Sequence, residues 1–151
     1  MPLWSGDQTG DGLPTFSLYT SKTFDKLGTD IGQPDGASKL CLGCHDGSFS
    51  GINPEGTKVF RPADLARSHP ISFTYDSALA AKVPNSGLRD PATTTSGFGG
   101  TIAQDLLDMR GKMQCTSCHD VHVSGRTAYV LRWDIEVSGG ERTMCRTCHN
   151  K

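Results

Sequence analysis

The chain has 151 residues, the size of a single domain, and its 15 basic and 16 acidic residues are well mixed. The formal charge of −1 gives no electrostatic basis for binding nucleic acid or an anionic membrane, and the lack of an apolar run of about 18 residues excludes a transmembrane helix. Hydrophobic residues make up only 35% of the predicted domain, residues 1–151, beside 18 glycines and 8 prolines, so something other than side chains should help to fill its interior.

The N-terminal part is predicted to consist of turns with one strand-like stretch, TFSLYT, at residues 15–20. The opening MPLWSGDQTG lacks the basic start and the apolar segment of a secretory signal. We therefore expect an exported protein to have lost its signal already, so that Met1 need not be an initiator. Farther along, Ser38 can cap a single helical turn that carries the stretch CLGCH, and Gly47 can end it.

The middle of the chain, residues 46–114, is predicted to contain short helices joined by loops. PADLAR at 62–67 and SALAAK at 77–82 lie on either side of a turn that contains His69, which a proline follows. A loop rich in glycine and threonine comes next. The sequence therefore predicts little regular structure over this interval.

The clearest amphipathic helix is predicted from Thr101 to Met109, because its apolar residues follow helical spacing. Met109 should then pack in the core, and Gly111 should end the helix. Later, TAYVLRWDIEV at 127–137 alternates well enough to be a strand or half of a hairpin. Together these elements predict a mostly irregular, loop-rich fold with short α-helices and a few short strands.

The cysteines give the strongest signal in the sequence. All six fall into three pairs of identical spacing, each followed directly by histidine: CLGCH (Cys41, Cys44, His45), CTSCH (Cys115, Cys118, His119) and CRTCH (Cys145, Cys148, His149). Cys-x-x-Cys-His is the attachment signature of c-type haem, in which two thioethers anchor the porphyrin and the imidazole is the first axial ligand of the iron. We therefore expect a fold packed around three covalently bound haem c groups, whose macrocycles replace much of the missing core.

Three other interpretations of the cysteines are less specific. A zinc site also uses paired cysteines, but zinc needs no histidine directly after each pair, and three pairs leave one over. A thioredoxin-like redox motif is a single pair in a βαβ setting, which this sequence lacks. Disulfides between cysteines three residues apart would close very small loops and stabilise little.

The two remaining histidines, His69 and His122, are candidates for distal axial ligands. His122 lies three residues after His119, a reach of about 10 Å at full extension, which is too short to pass round a whole macrocycle. It should therefore serve a different iron, or none. The sequence does not decide which distal histidine serves which haem.

Three six-coordinate irons need six axial groups, and the chain has only 5 histidines. The sixth position of one iron is therefore left to a methionine, to the α-amino group of Met1, to water or to nothing. Met1 is the methionine that no packing argument places, since Met109 has helical spacing and Met113 and Met144 come just before haem cysteines. We assign the odd iron to the haem of Cys145 and Cys148 as an expectation.

The sequence resembles the multihaem c-type cytochromes of metal-respiring bacteria almost from end to end. The likeness includes PLW, TFSLYTS, GQPDGASKLCLGCHDG, SHPISFTYDSALA, LRDPATTTSG, CTSCHDVH and CRTCHNK. It implies a periplasmic or cell-surface electron carrier in which His69 and His122 are distal ligands, and some similar cytochromes polymerise into filaments. Many relatives have a further histidine near the Pro-Leu-Trp stretch, where this chain has Ser5 and Gly6.

Two functions of different classes follow as expectations. The first is non-enzymatic electron transfer, in which closely spaced haems pass single electrons between redox partner proteins, extracellular acceptors or copies of the chain in a filament. The second is a haem oxidoreductase, in which the odd iron keeps an open position for a small substrate. No group of arginine, lysine and tyrosine residues beside a motif favours the second function, so no catalytic residue is expected.

Overall fold

The computed structural model describes residues 15–20, 31–46, 61, 63–82, 87–122 and 130–150. Its elements, in chain order, are helix α1 (Gly36–His45), a 3-10 helix (Asp64–Arg67), strand β1 (Phe73–Thr74), helix α2 (Ser77–Lys82), helix α3 (Ile102–Asp105), strand β2 (Lys112–Met113), helix α4 (Cys115–Cys118) and helix α5 (Gly140–Cys148). Turns and extended loops make up the rest of these ranges. No helix among these residues is long and apolar enough to cross a membrane.

The short helices of the middle segment are where the sequence predicts them. SALAAK forms α2, and the last four residues of PADLAR form the 3-10 helix. The predicted helix from Thr101 to Met109 is much shorter, because α3 ends at Asp105. Thr101 begins α3 with a capping box. Its hydroxyl accepts from the backbone N–H of Gln104, and the side-chain oxygen of Gln104 accepts from the backbone N–H of Thr101.

Two predictions about the ends of elements are wrong. Ser38 does not cap α1, whose first flanking residue is Asp35; Ser38 is fully buried in the first turn of the helix. Met109 lies beyond the end of α3, and its side chain is fully exposed rather than packed in the core. The predicted end of the first helical turn at Gly47 lies outside the described residues.

The stretch TFSLYT is not a strand. Its Phe16 N–H donates to the Gln33 side-chain oxygen at 2.8 Å, and the Gln33 amide donates back to the Phe16 carbonyl at 3.0 Å. One glutamine therefore supplies the donor and the acceptor that a partner strand would supply. The predicted strand TAYVLRWDIEV is also absent over residues 130–137, where Leu131 makes a single antiparallel bridge to His119; residues 127–129 lie outside the described part.

Among the described residues, buried apolar side chains form two small clusters. The larger one contains Phe73, Tyr75, Leu79, Ile102, Leu106 and Met113. The two-stranded antiparallel sheet belongs to it, since Phe73 of β1 is directly opposite Met113 of β2. The smaller cluster contains Phe16, Leu42 and Leu65, and Leu42 connects it to α1. Both clusters lie against helices that carry cysteine–histidine motifs, because Cys148 packs on the edge of the larger one.

Candidate haem sites

The second and third Cys-x-x-Cys-His motifs have one local geometry. In both, the two cysteines lie in the last turn of a helix, and the histidine is the first extended residue after it, with φ −108° at His119 and at His149. The histidine N–H still closes the helix by donating to the carbonyl of the first cysteine, at 3.0 Å in α4 and 2.9 Å in α5. The backbone therefore leaves the helix in the same direction at His119 and at His149.

The first motif differs in its backbone. His45 is the last residue of α1, and Asp46 follows in a right-handed helical conformation with φ −83°. Cys41, Cys44 and His45 therefore lie on one continuous helix. All six motif cysteines are free thiols in the structure, with no disulfide among them.

Helices α1 and α4 are held together by a buried glutamine. Gln114 directly precedes Cys115 and is 1% exposed. Its side-chain oxygen accepts from the Ser38 N–H at 3.2 Å and from the Ser72 hydroxyl at 3.3 Å, and its amide donates to Asp35 and Asp108 at 3.0 Å. The hydrogen-bonding capacity of this side chain is therefore used in full.

A second link joins the same two helices directly. The Ser38 hydroxyl accepts from the Cys115 N–H at 2.9 Å, so the first motif helix satisfies a backbone donor in the first turn of the second. In addition to its hydrogen bond from Gln114, the Asp35 carboxylate accepts from the Lys112 ammonium at 2.6 Å and lies 3.1 Å from the Arg110 guanidinium. Burial opposes ionisation of Asp35, but hydrogen bonds from Lys112 and Gln114 lower the pKa of this carboxyl below its ordinary value.

The thiols of different motifs lie close together. A hydrogen bond from Cys41 lowers the pKa of Cys115 to about 6 and raises the pKa of Cys41, since the two sulfurs share one proton. Burial, followed by the neighbouring thiols Cys115 and Cys145, raises the pKa of Cys118. Burial and then the thiols Cys118 and Cys145 raise the pKa of Cys148 to about 12. The first motif thus contacts the second, and the second approaches the third.

Helix α5 is attached to the protein mainly at its C-terminal end. Of its 9 residues only Gly140 is buried. The segment 87–89 pairs with its end: the Arg89 N–H donates to the Cys148 carbonyl and the Asn150 N–H to the Gly87 carbonyl, both at 2.8 Å. The Tyr75 hydroxyl donates to the Arg89 carbonyl at 2.5 Å and reaches the Cys148 carbonyl at 3.3 Å. These contacts fix the position of His149, while most of the helix surface is free to cover a cofactor.

The two histidines outside the motifs have different surroundings. The ring of His69 lies beside that of His149, with 6.3 Å between the ring centroids and 73° between the ring planes. The Nδ1 atom of His69 is 2.9 Å from the Pro70 carbonyl oxygen. His122 lies in an exposed turn after α4, where its N–H donates to the Asp120 carboxylate at 3.0 Å.

The methionines offered as a sixth ligand are dispersed. Met113 is buried in the larger apolar cluster and Met109 is fully exposed. Met144 is half-buried on α5, one residue before Cys145. Met1 lies outside the described residues. Within the described ranges, no three histidine, cysteine, aspartate or glutamate side chains converge as a metal-binding group; a haem iron takes only two axial side chains.

The donor set fits haem attachment by three tests. Each cysteine pair lies in the C-terminal part of a helix, each motif histidine follows directly, and the cysteines are half-buried or exposed rather than sealed in the core. Sequence reasoning missed Gln114 and Tyr75, which position the motifs. A glutamine before a cysteine and a tyrosine in SFTYD have no distinguishing pattern, since their role depends on partners far away in the chain.

No protein-family model matches this chain, and no curated protein matches it either.

Proposed function

We propose that the protein is a triheme c-type cytochrome that transfers single electrons through three closely spaced haems. The observation that carries the proposal is the contact between cysteines of different motifs. Cys41 hydrogen-bonds to Cys115, and Cys145 is close enough to Cys118 to influence its ionisation. Porphyrins anchored at these sulfurs would have adjacent edges. The haem of the second motif would lie between the haems of the first and third motifs.

Different residues would attach the haems, bind the irons and position the motif helices. Haem iron, when bound, supplies a one-electron couple whose potential depends on its axial ligands and surroundings. Cys41, Cys44, Cys115, Cys118, Cys145 and Cys148 would form the thioethers, and His45, His119 and His149 would be the proximal ligands. Gln114 and Ser38 hold the first two motif helices at a fixed separation, and Tyr75 holds the end of the third.

A haem oxidoreductase is the second candidate, and the count of imidazoles favours it. With 5 histidines for three irons, one iron lacks a second histidine and could bind a small substrate. A catalytic site would also need side chains that hold and protonate that substrate. Electron transfer needs only haems that are anchored close together, which the contacts between the motif cysteines support, so it is the function we propose.

Intact mass will test the cofactor content. We expect the mature protein to have the mass of the chain plus three haem groups, a pyridine haemochrome assay to give three haems per chain, and a reductive titration to take up three electrons. Cys145→Ser combined with Cys148→Ser should remove one haem and leave two. A mass of the chain alone or of the chain plus metal ions, or six thiols that react after denaturation, would contradict the proposal.

We further propose that the protein acts outside the cytoplasmic membrane and associates with copies of itself, as the resemblance implies. Exposed apolar side chains support such a contact surface; they include Phe98, Met109 and Val137. A contact between different faces of neighbouring copies produces an open filament when its rotation does not close a ring. We expect electron microscopy of the haem-loaded protein to show filaments. Uniform monomer-sized particles at high concentration would leave a soluble electron shuttle instead.

A further inference from the structure

The spacing of His69 and His149 equals the spacing of two imidazoles on opposite sides of one metal ion. A metal–imidazole bond of about 2.0–2.1 Å, with about 1.1 Å from the bonded nitrogen to the ring centre, puts the two ring centres about 6.3 Å apart. The structure has 6.3 Å between the centroids of these two rings. Edge-to-face ring pairs in direct contact also have centroids about 4.5–7 Å apart, so the tautomer and the surroundings of His69 carry the distinction between a ring contact and a shared iron.

The tautomer of His69 is also the one that an iron ligand needs. Its Nδ1 atom lies 2.9 Å from the Pro70 carbonyl oxygen, which can only accept a hydrogen bond, so Nδ1 must carry the proton. In the neutral ring, the form that can bind a metal, the lone pair is then on Nε2, at the opposite side of the ring. Metal-bound histidines usually donate their other N–H to a carbonyl or carboxylate in this way, which fixes the ring orientation.

The surroundings of His69 suit the face of a porphyrin. A shallow open pocket lies beside the ring, and its lining includes Leu18, Ile31, Leu65 and Ile71. On the other side, His149 follows the exposed Cys145 and half-buried Cys148 of α5, whose surface is little covered by protein. A macrocycle between the two rings would lie against apolar side chains while it is anchored to α5.

We propose that His69 and His149 are the two axial ligands of a single iron, in the haem that Cys145 and Cys148 anchor. The proposal rests on the triheme function proposed above and assigns the ligands of one of its sites. It replaces the sequence-based expectation that this haem is the one without a second histidine. The long interval between the first two motifs thereby supplies the distal ligand of the third.

The assignment also identifies the odd iron. With His69 used at the third haem, only His122 remains for the other two irons, and it cannot reach round the macrocycle of its near neighbour His119, within about 10 Å of chain. His122 is left for the iron of His45. The haem of Cys115 and Cys118, between the other two in the order of thiol contacts, is then the haem without a second histidine.

A comparison of two genetic backgrounds tests the pairing. In the three-haem protein, His69→Ala should convert one low-spin iron per chain to a high-spin iron that binds carbon monoxide when reduced. In the two-haem variant with Cys145→Ser and Cys148→Ser, the same change should have no effect on either remaining iron. Arg67→Ala, an exposed change in the neighbouring 3-10 helix, should leave both spectra as they were.

A second measurement needs only the three-haem protein. Imidazole planes that are nearly perpendicular make the two iron orbitals that overlap with them almost equal in energy, which gives a strongly anisotropic low-spin signal in electron paramagnetic resonance. The 73° between the rings of His69 and His149 predicts such a signal. This component of the spectrum should be lost in His69→Ala and kept in Arg67→Ala.

The outcomes separate this proposal from the function it rests on. Absence of covalent haem from the parent would overturn the triheme function itself. Three attached haems, with a spin change caused by His69→Ala in the two-haem background, would overturn the pairing and leave the electron carrier standing. A low-spin spectrum of the three-haem His69→Ala protein identical to that of the parent would overturn the pairing as well.

Discussion

Replacing Gln114 with leucine will lower the free energy of unfolding of the haem-loaded protein by about 2–4 kcal/mol. Leucine can occupy the buried space, but it cannot accept from Ser38 and Ser72 or donate to Asp35 and Asp108. Buried donors and acceptors that lose their partner cost about 1–3 kcal/mol each, and water can reach the two half-buried carboxylates to reduce part of this loss. Denaturant unfolding, followed by haem absorbance, will measure the difference.

Gln104→Leu is the matched control. Gln104 is exposed, and its side-chain oxygen accepts one hydrogen bond, from the Thr101 N–H at 2.9 Å. Loss of this half of a capping box at the surface should cost about 0.5–1 kcal/mol. If the two leucine variants lost the same stability, Gln114 would not be the residue that joins the first two motif helices.

The local features of the fold could be predicted from the sequence where the signal is itself local. SALAAK has helix-forming residues in succession, and α2 comprises these six residues, Ser77–Lys82. The apolar spacing after Thr101 also predicts a helix, but α3 ends at Asp105, where the Asp105 carboxylate turns back to accept from the Gly100 N–H and the Ser96 hydroxyl. A loop that captures this side chain competes with a further helical turn.

Long-range partners account for the features that the sequence did not predict. Ser38 has the residue type of a helix cap, but its hydroxyl accepts from Cys115, which is 77 positions away. TFSLYT has the alternation of a strand, but its partner is the side chain of Gln33. In both cases the backbone group is satisfied by a residue whose proximity only the folded chain creates.

The candidate site also combines features that local sequence predicts with features that depend on long-range contacts. The identity of the motif residues follows from the spacing of Cys, Cys and His alone, since the chemistry of attachment is local. The proposed pairing of His69 with His149 does not follow from any spacing in the sequence. The two residues are 80 positions apart, and the sheet and the end of α5 lie between them along the chain. Counting imidazoles predicts that one iron lacks a second histidine, but it does not say which; the 6.3 Å separation is the observation from which we propose the pairing.

His122→Ala will open one iron without loss of haem. The variant should keep three haems by mass, because the thioethers do not involve this residue. Its low-spin signal should lose one component, and one more iron per chain than in the parent should bind carbon monoxide in the reduced state. An iron with two imidazoles has no free position, and removal of the distal ring creates one.

The affected iron should be the one that His45 holds, and a second background tests this. A variant with Cys41→Ser and Cys44→Ser should carry two haems, and His122→Ala should have no further effect in it. In the parent, His69→Ala and His122→Ala together should open two more irons, since each histidine serves a different one. Val121→Ala, an exposed change in the same turn, is the control and should open none. If His122→Ala left the spectra of the three-haem protein unchanged, His122 would be a surface residue, and two irons rather than one would lack a second histidine.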